Sequence, residues 1–162
     1  MTQEAESLIT DAMRASVGKE GAPITLEVDK TGIRMFARAV QHVDQVFYDE
    51  AYARSKGHRS IVAPPGYFGT PAYNPQADPG TIPENRIAPD GRTLRTLNGG
   101  TELEFTGVDI CAGDTITAVS KVVSLNQRDS SLGPMIINRR ETTYTNQLGE
   151  VVGRLYGTTL MY

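Results

Sequence analysis

Residues 33–69, IRMFARAVQHVDQVFYDEAYARSKGHRSIVAPPGYFG, decide how this chain is read. Ile33, Phe36, Ala37 and Val40 recur at helical spacing, and Thr31 stands where a hydroxyl can cap the first turn. A second short helix is expected after Asp49, a capping residue, and before Gly57, which accepts the left-handed backbone of a helix stop. Pro64-Pro65 suits the first turn of a third short helix, because the N–H that proline lacks has no partner there. Pro71 should cut that helix short.

Working outward, Leu8, Ile9, Ala12 and Met13 predict an amphipathic helix within residues 3–16, ended by Gly18. Ile24, Leu26 and Val28 alternate with polar residues and predict a strand. Prolines 64, 65, 71, 75, 79, 83 and 89 crowd the middle of the chain, and residues 74–96 read as a long loop. The last third is β. Leu103 and Phe105 alternate with Glu102 and Glu104, and Ala112-Gly113-Asp114 is a turn. Further strands are expected at 115–125, 135–145 and 151–161, the last two joined by a turn at Asn146–Gly149. Apolar residues on both faces of 115–125 place that strand centrally. Helices first and consecutive strands later define an α+β chain, and 162 residues suffice for a single domain over 1–162.

A net charge of -3, with Arg139-Arg140 the lone basic pair, argues against nucleic acid as a partner. No apolar run reaches the roughly 18–20 residues of a membrane span. The acidic start MTQEAES is unlike a secretory signal. One cysteine, Cys111, forms no internal disulfide, so a cytoplasmic protein is expected. Cys111 reads as a small buried hydrophobe rather than a nucleophile. Two histidines and one cysteine without ligand spacing give no reason to expect a metal.

The order and spacing of Val17–Glu20, Phe36–Val40, Asp49–Ala53, Ile61–Pro65, Leu97–Phe105, Ala112–Asp114, Glu141–Asn146 and Gly149-Glu150 resemble the MaoC-like family, particularly its N-terminal dehydratase-type domain. That family holds (R)-specific enoyl-CoA hydratases and 3-hydroxyacyl dehydratases. The resemblance spans about 17–161. It implies a single hot-dog domain, an antiparallel sheet wrapped around a central helix, and a substrate carried as a coenzyme A or acyl carrier thioester with no other cofactor.

Hydration of a conjugated thioester needs an acid–base pair, a donor to the enolate oxygen and a dry tunnel. The resemblance implies an Asp-x-Asn-x-x-His arrangement after the first helix. Here His42, Asp44 and Phe47 fill those slots, and phenylalanine moves no proton. The family's His-Gly donor pair falls on Pro64-Pro65, and proline has no N–H. His42 and Asp44 are either a swapped acid–base pair or a polar helix end; residues two apart on a helix face different sides, which favours the latter. His58, in a turn, reads as structural or solvent-facing. Phe47, Pro64, Pro65, Gly66, Tyr67 and Phe68 are the candidate substrate-binding residues. Arg54, Lys56 and Arg59 are candidates for coenzyme A phosphates, or else the solvated faces of two helices.

The expected function is a non-catalytic, substrate-binding subunit of a heteromeric hydratase or dehydratase, with a catalytic MaoC-like hot-dog partner in a heterodimer or heterotetramer. The alternatives are a self-sufficient homodimeric enzyme using His42 and Asp44, a non-enzymatic acyl-thioester binder and, less favoured, a thioesterase.

Overall fold

A computed structural model describes residues 7–76, 86–131 and 133–162. Three short helices precede most of the sheet: α1 (Asp11–Ser16), α2 (Lys30–Ala39) and α3 (Glu50–Ser55). None is long and apolar enough to cross a membrane. Six strands, β1 (Ile24–Glu27), β2 (Thr70–Pro71), β3 (Thr96–Phe105), β4 (Thr115–Ser130), β5 (Gly133–Asn146) and β6 (Val151–Met161), form one antiparallel sheet in the order β2-β1-β4-β5-β6-β3.

Local chemistry explains the helix ends. Thr10 caps α1 by accepting from the Met13 N–H; residues 3–6 of the expected helix lie outside the described residues. Asp29, not Thr31, caps α2, because Thr31 already lies inside its first turn. Asp49 caps α3 as expected. At its end Gly57 has φ +93°, and the N–H groups of Gly57 and His58 donate to Arg54 and Ala53 carbonyls, a paired closure that glycine permits.

The expected helix at Pro64 does not form. Residues 64–67 make one turn, closed by the Tyr67 N–H on the Pro64 carbonyl, and the chain then runs to β2, which pairs with β1. Gly66 and Gly69 adopt φ of +97° and +111°, so the backbone leaves helical space twice within four residues. Of the loop expected at 74–96, residues 77–85 lie outside the described residues; the part from Arg86 packs on the sheet, with Ala88 and Leu94 buried.

Two apolar clusters result. One gathers Leu26, Val28, Ile33, Ile61, Phe68, Ile110, Ile116 and Val152. The other joins Leu8, Ile9 and Met13 to Ala88, Leu94, Ile136 and Met161. Strands β4 and β5 lie at the middle of the sheet, as the two-sided apolar pattern of 115–125 implied. Gly153 sits under the Phe68 ring: a Cβ there would lie 2.9 Å from both that ring and the Glu104 carbonyl. Gly153→Ala should therefore cost about 1–3 kcal/mol in urea unfolding; for scale, Ala51→Gly on exposed α3 is expected to cost about 1 kcal/mol.

Candidate functional site

The segment after α2 turns sharply at Gln41, whose φ is +60°. Asp44 then accepts from the Val46 N–H and caps a 3₁₀ turn at Gln45–Phe47. The Tyr48 hydroxyl donates to the His42 carbonyl at 2.6 Å, and the Arg34 guanidinium donates to the Tyr48 carbonyl. His42 and Asp44 are both exposed, and the His42 ring lies against Phe47. Asp44 is thus engaged as a cap, and Phe47 turns towards the apolar cluster.

Residues 61–63 pair with 110–112 through the Ala63 N–H on the Ile110 carbonyl and the Ala112 N–H on the Ile61 carbonyl. This pairing delivers Pro64 and Pro65 beside Phe47. A cleft of about 250 Å³ opens there, lined by Phe47, Pro64, Pro65, Tyr67, Phe105 and Asp109 among others. Four of the six candidate substrate-binding residues therefore meet. Gly66 instead faces the Phe36 ring, and Phe68 stacks on Phe105, a lining residue, and on Tyr144. Phe105, Val108, Asp109, Ile110 and Val152 also line the cleft and were not singled out as site residues in the sequence. They come from two segments far from residues 47–67, residues 105–110 and Val152, and nothing local in their pattern marks them.

The cleft is below the roughly 300–1,000 Å³ that encloses a whole small ligand, so it accommodates one end of a longer molecule. At its lip the Asp109 carboxylate lies 2.5 Å from the His58 Nδ1. His58, read as structural or solvent-facing, thus belongs to a histidine–carboxylate pair beside the cleft.

A wider, charged hollow of about 550 Å³ lies between α2, α3 and the 112–114 turn. Lys30 and Arg54 both bind Glu50, and their hydrogen bonds hold its carboxyl down to about 2. Arg59 grips Asp114 with two 2.9 Å hydrogen bonds. Lys56 lies over the Tyr52 ring. Of the three candidate phosphate-binding cations, Arg54 and Arg59 are thus engaged by carboxylates of the chain itself. Cys111 is buried, and burial pushes its thiol up, away from the reactive thiolate.

An antiparallel sheet of this strand order, with a helix packed against its core and a short-turn segment at its hollow, defines a hot-dog fold. Solved structures agree. The chain is 24% identical to a chain of the C-terminally truncated HadBC (3R-hydroxyacyl-ACP dehydratase) complex of Mycobacterium tuberculosis, covering 96% of this chain and 100% of that one at a TM-score of 0.64. It is 17% identical to a chain of the ChsH1-ChsH2 complex of the same organism, covering 88% of each at 0.64. A MaoC-like dehydratase from Rhodospirillum rubrum is 18% identical, with 88% and 91% covered, at 0.54. No curated protein matches the sequence. The profile of the FAS1-like, dehydratase domain region matches residues 15–155, and the chain belongs to that family.

Proposed function

We propose that this chain is the substrate-holding, non-catalytic subunit of a heteromeric (R)-specific enoyl-CoA hydratase or 3-hydroxyacyl-thioester dehydratase. The observation that carries the reading is the makeup of the cleft. Phe47 and Pro65 stand at the places where the resembled enzymes move protons and stabilise the enolate, and neither has the required group. Removing one enolate donor costs on the order of 100- to 1,000-fold, and removing acid–base help about 100- to 10,000-fold. The chain keeps a place for the thioester and lacks the means to transform it.

A second hot-dog chain supplies those means. Strand β3 is a sheet edge with all ten residues exposed, including Leu97, Leu103 and Phe105. An edge of that length needs cover. Two of the similar structures are complexes of two named chains, HadBC and ChsH1-ChsH2, which supports an unlike partner. Coenzyme A or an acyl carrier protein delivers the acyl group. Arg54, Lys56 and Arg59 serve its phosphates only if the acid partners of the two arginines release them.

The His58–Asp109 pair supports a second reading, a self-sufficient enzyme whose site has moved along the cleft. One experiment separates the two. The purified chain is expected to hydrate crotonyl-CoA at less than a thousandth of the rate of its complex with a hot-dog partner that carries an intact Asp-x-Asn-x-x-His segment. Robust turnover by the lone chain, lost in His58→Ala while folding is unchanged, overturns the non-catalytic role and establishes the second reading.

A further inference from the structure

The inward-facing residues of β5 are Ile136, Asn138, Arg140, Thr142, Tyr144 and Asn146, and most of them are buried. Arg140 is the exception: it stands exposed on the face that carries both apolar clusters. The register places Val122 and Gly157 beside it, and Thr101 beyond Gly157. Its neighbour Arg139, on the opposite face, binds Glu102 and lies over the Tyr156 ring. Arg140 has no hydrogen bond or ion pair among the described residues, and it borders a cleft of about 230 Å³ together with Lys19, Glu20 and Lys121, the last of which is engaged by Glu141.

The surroundings of Arg140 follow from the turn at Pro64. Phe68 covers the sheet at Tyr144, and the N-terminal segment covers it at Ile136. Between these covers the inward positions are Thr142, Ser120, Leu155 and Leu103, then Arg140. Ser120 and Thr142 satisfy each other at 2.7 Å, so this stretch makes no polar demand until Arg140. The next inward residue, Asn138, is buried with its amide oxygen unpaired, so the floor remains polar beyond Arg140.

We infer that the acyl group held by this chain ends in a carboxylate, and that Arg140 binds it. This rests on the thioester-holding role proposed above. A guanidinium matches one carboxylate with two parallel hydrogen bonds, whereas the phosphates of coenzyme A call for a cluster of cations. The spacing sets the length. Tyr144 lies in the row of Phe105, which lines the thioester cleft, and Arg140 is four strand residues along from Tyr144, about 13–14 Å. An acyl chain of about ten carbon–carbon bonds, or a fused ring system of that length, spans such a gap.

Calorimetric titration of the full chain with dodecanoyl-CoA and with its ω-carboxylated counterpart tests this. The carboxylated thioester is expected to bind at least tenfold tighter. Arg140→Met, which keeps the stem and loses the charge at an exposed site, should erase that gain and leave dodecanoyl-CoA binding unchanged. Equal binding of the two thioesters by the native chain overturns the inference. So does an equal loss for both in Arg140→Met, which places the guanidinium on a coenzyme A phosphate instead. If the native chain binds neither thioester, the holding role itself fails, and the inference falls with it.

Discussion

Phe68→Ala is expected to lower stability by about 3–5 kcal/mol, the range for removing a buried aromatic ring, and the melting temperature by roughly 10 °C. The ring stacks on Tyr144 at 3.9 Å between centroids with planes 7° apart, and on Phe105 at 6.1 Å. It is 6% exposed and belongs to the larger apolar cluster. It also presses on Gly153, where no side chain is present to fill the space it leaves. The cavity would therefore collapse poorly, and the cost should fall at the upper end of the range. Phe68→Leu should cost less than half as much. Thermal and urea unfolding check both; a loss under about 1 kcal/mol for the alanine variant would mean that the ring is not what fills this part of the hollow.

Asp114→Asn should cost about 2–4 kcal/mol and flatten the acid limb of the stability profile. The side chain is 1% exposed and accepts four hydrogen bonds: two from Arg59, one from the Cys111 N–H and one from the Gln147 amide. It joins the 111–114 turn, the segment after α3 and the β5–β6 turn. Burial by itself would push its carboxyl up. The Arg59 guanidinium, the Cys111 N–H and the Gln147 amide outweigh burial and hold it below the ordinary 3.8. A carboxyl lowered in the folded state stabilises it fully above 3.8, and that contribution is lost as the pH falls through the folded value. The asparagine variant cannot titrate, so its unfolding free energy should vary less between pH 5 and pH 2 than that of the native chain. Parallel profiles for the two proteins would remove Asp114 as the source of the acid sensitivity.

Much of the fold could be read locally. Asp49 and Gly57 bracket α3 because a carboxylate before the first turn and a left-handed glycine after the last are self-contained signals. The turn at Asn146–Gly149 is equally local: the Asn146 side chain accepts from the Leu148 and Glu150 N–H groups. Strand 151–161 was legible to the residue. The helix at Pro64 was misread for a physical reason. Proline favours a first helical turn but cannot create the turns that follow, and Gly66 and Gly69 take the backbone elsewhere. The Asp29 cap was missed because Thr31, also a capping type, lies two residues on.

The candidate site was legible in part. Phe47, Pro64, Pro65 and Tyr67 are near in sequence and meet in the cleft. Asp109 joins them only because residues 61–63 pair with 110–112, and it meets His58 across 51 positions of sequence.

From its residues the chain declares an α+β order of elements and, through the family resemblance those residues carry, a hot-dog fold with no proton carrier at position 47, since side-chain identity and short-range spacing carry both. The tertiary structure alone decides which residues wall the cleft and which of two adjacent arginines is left unpaired among the described residues. Alternation along a strand says that Arg139 and Arg140 face opposite ways; only the cover laid over each face, from segments far along the chain, makes one a surface ion pair and the other an open charge above the core.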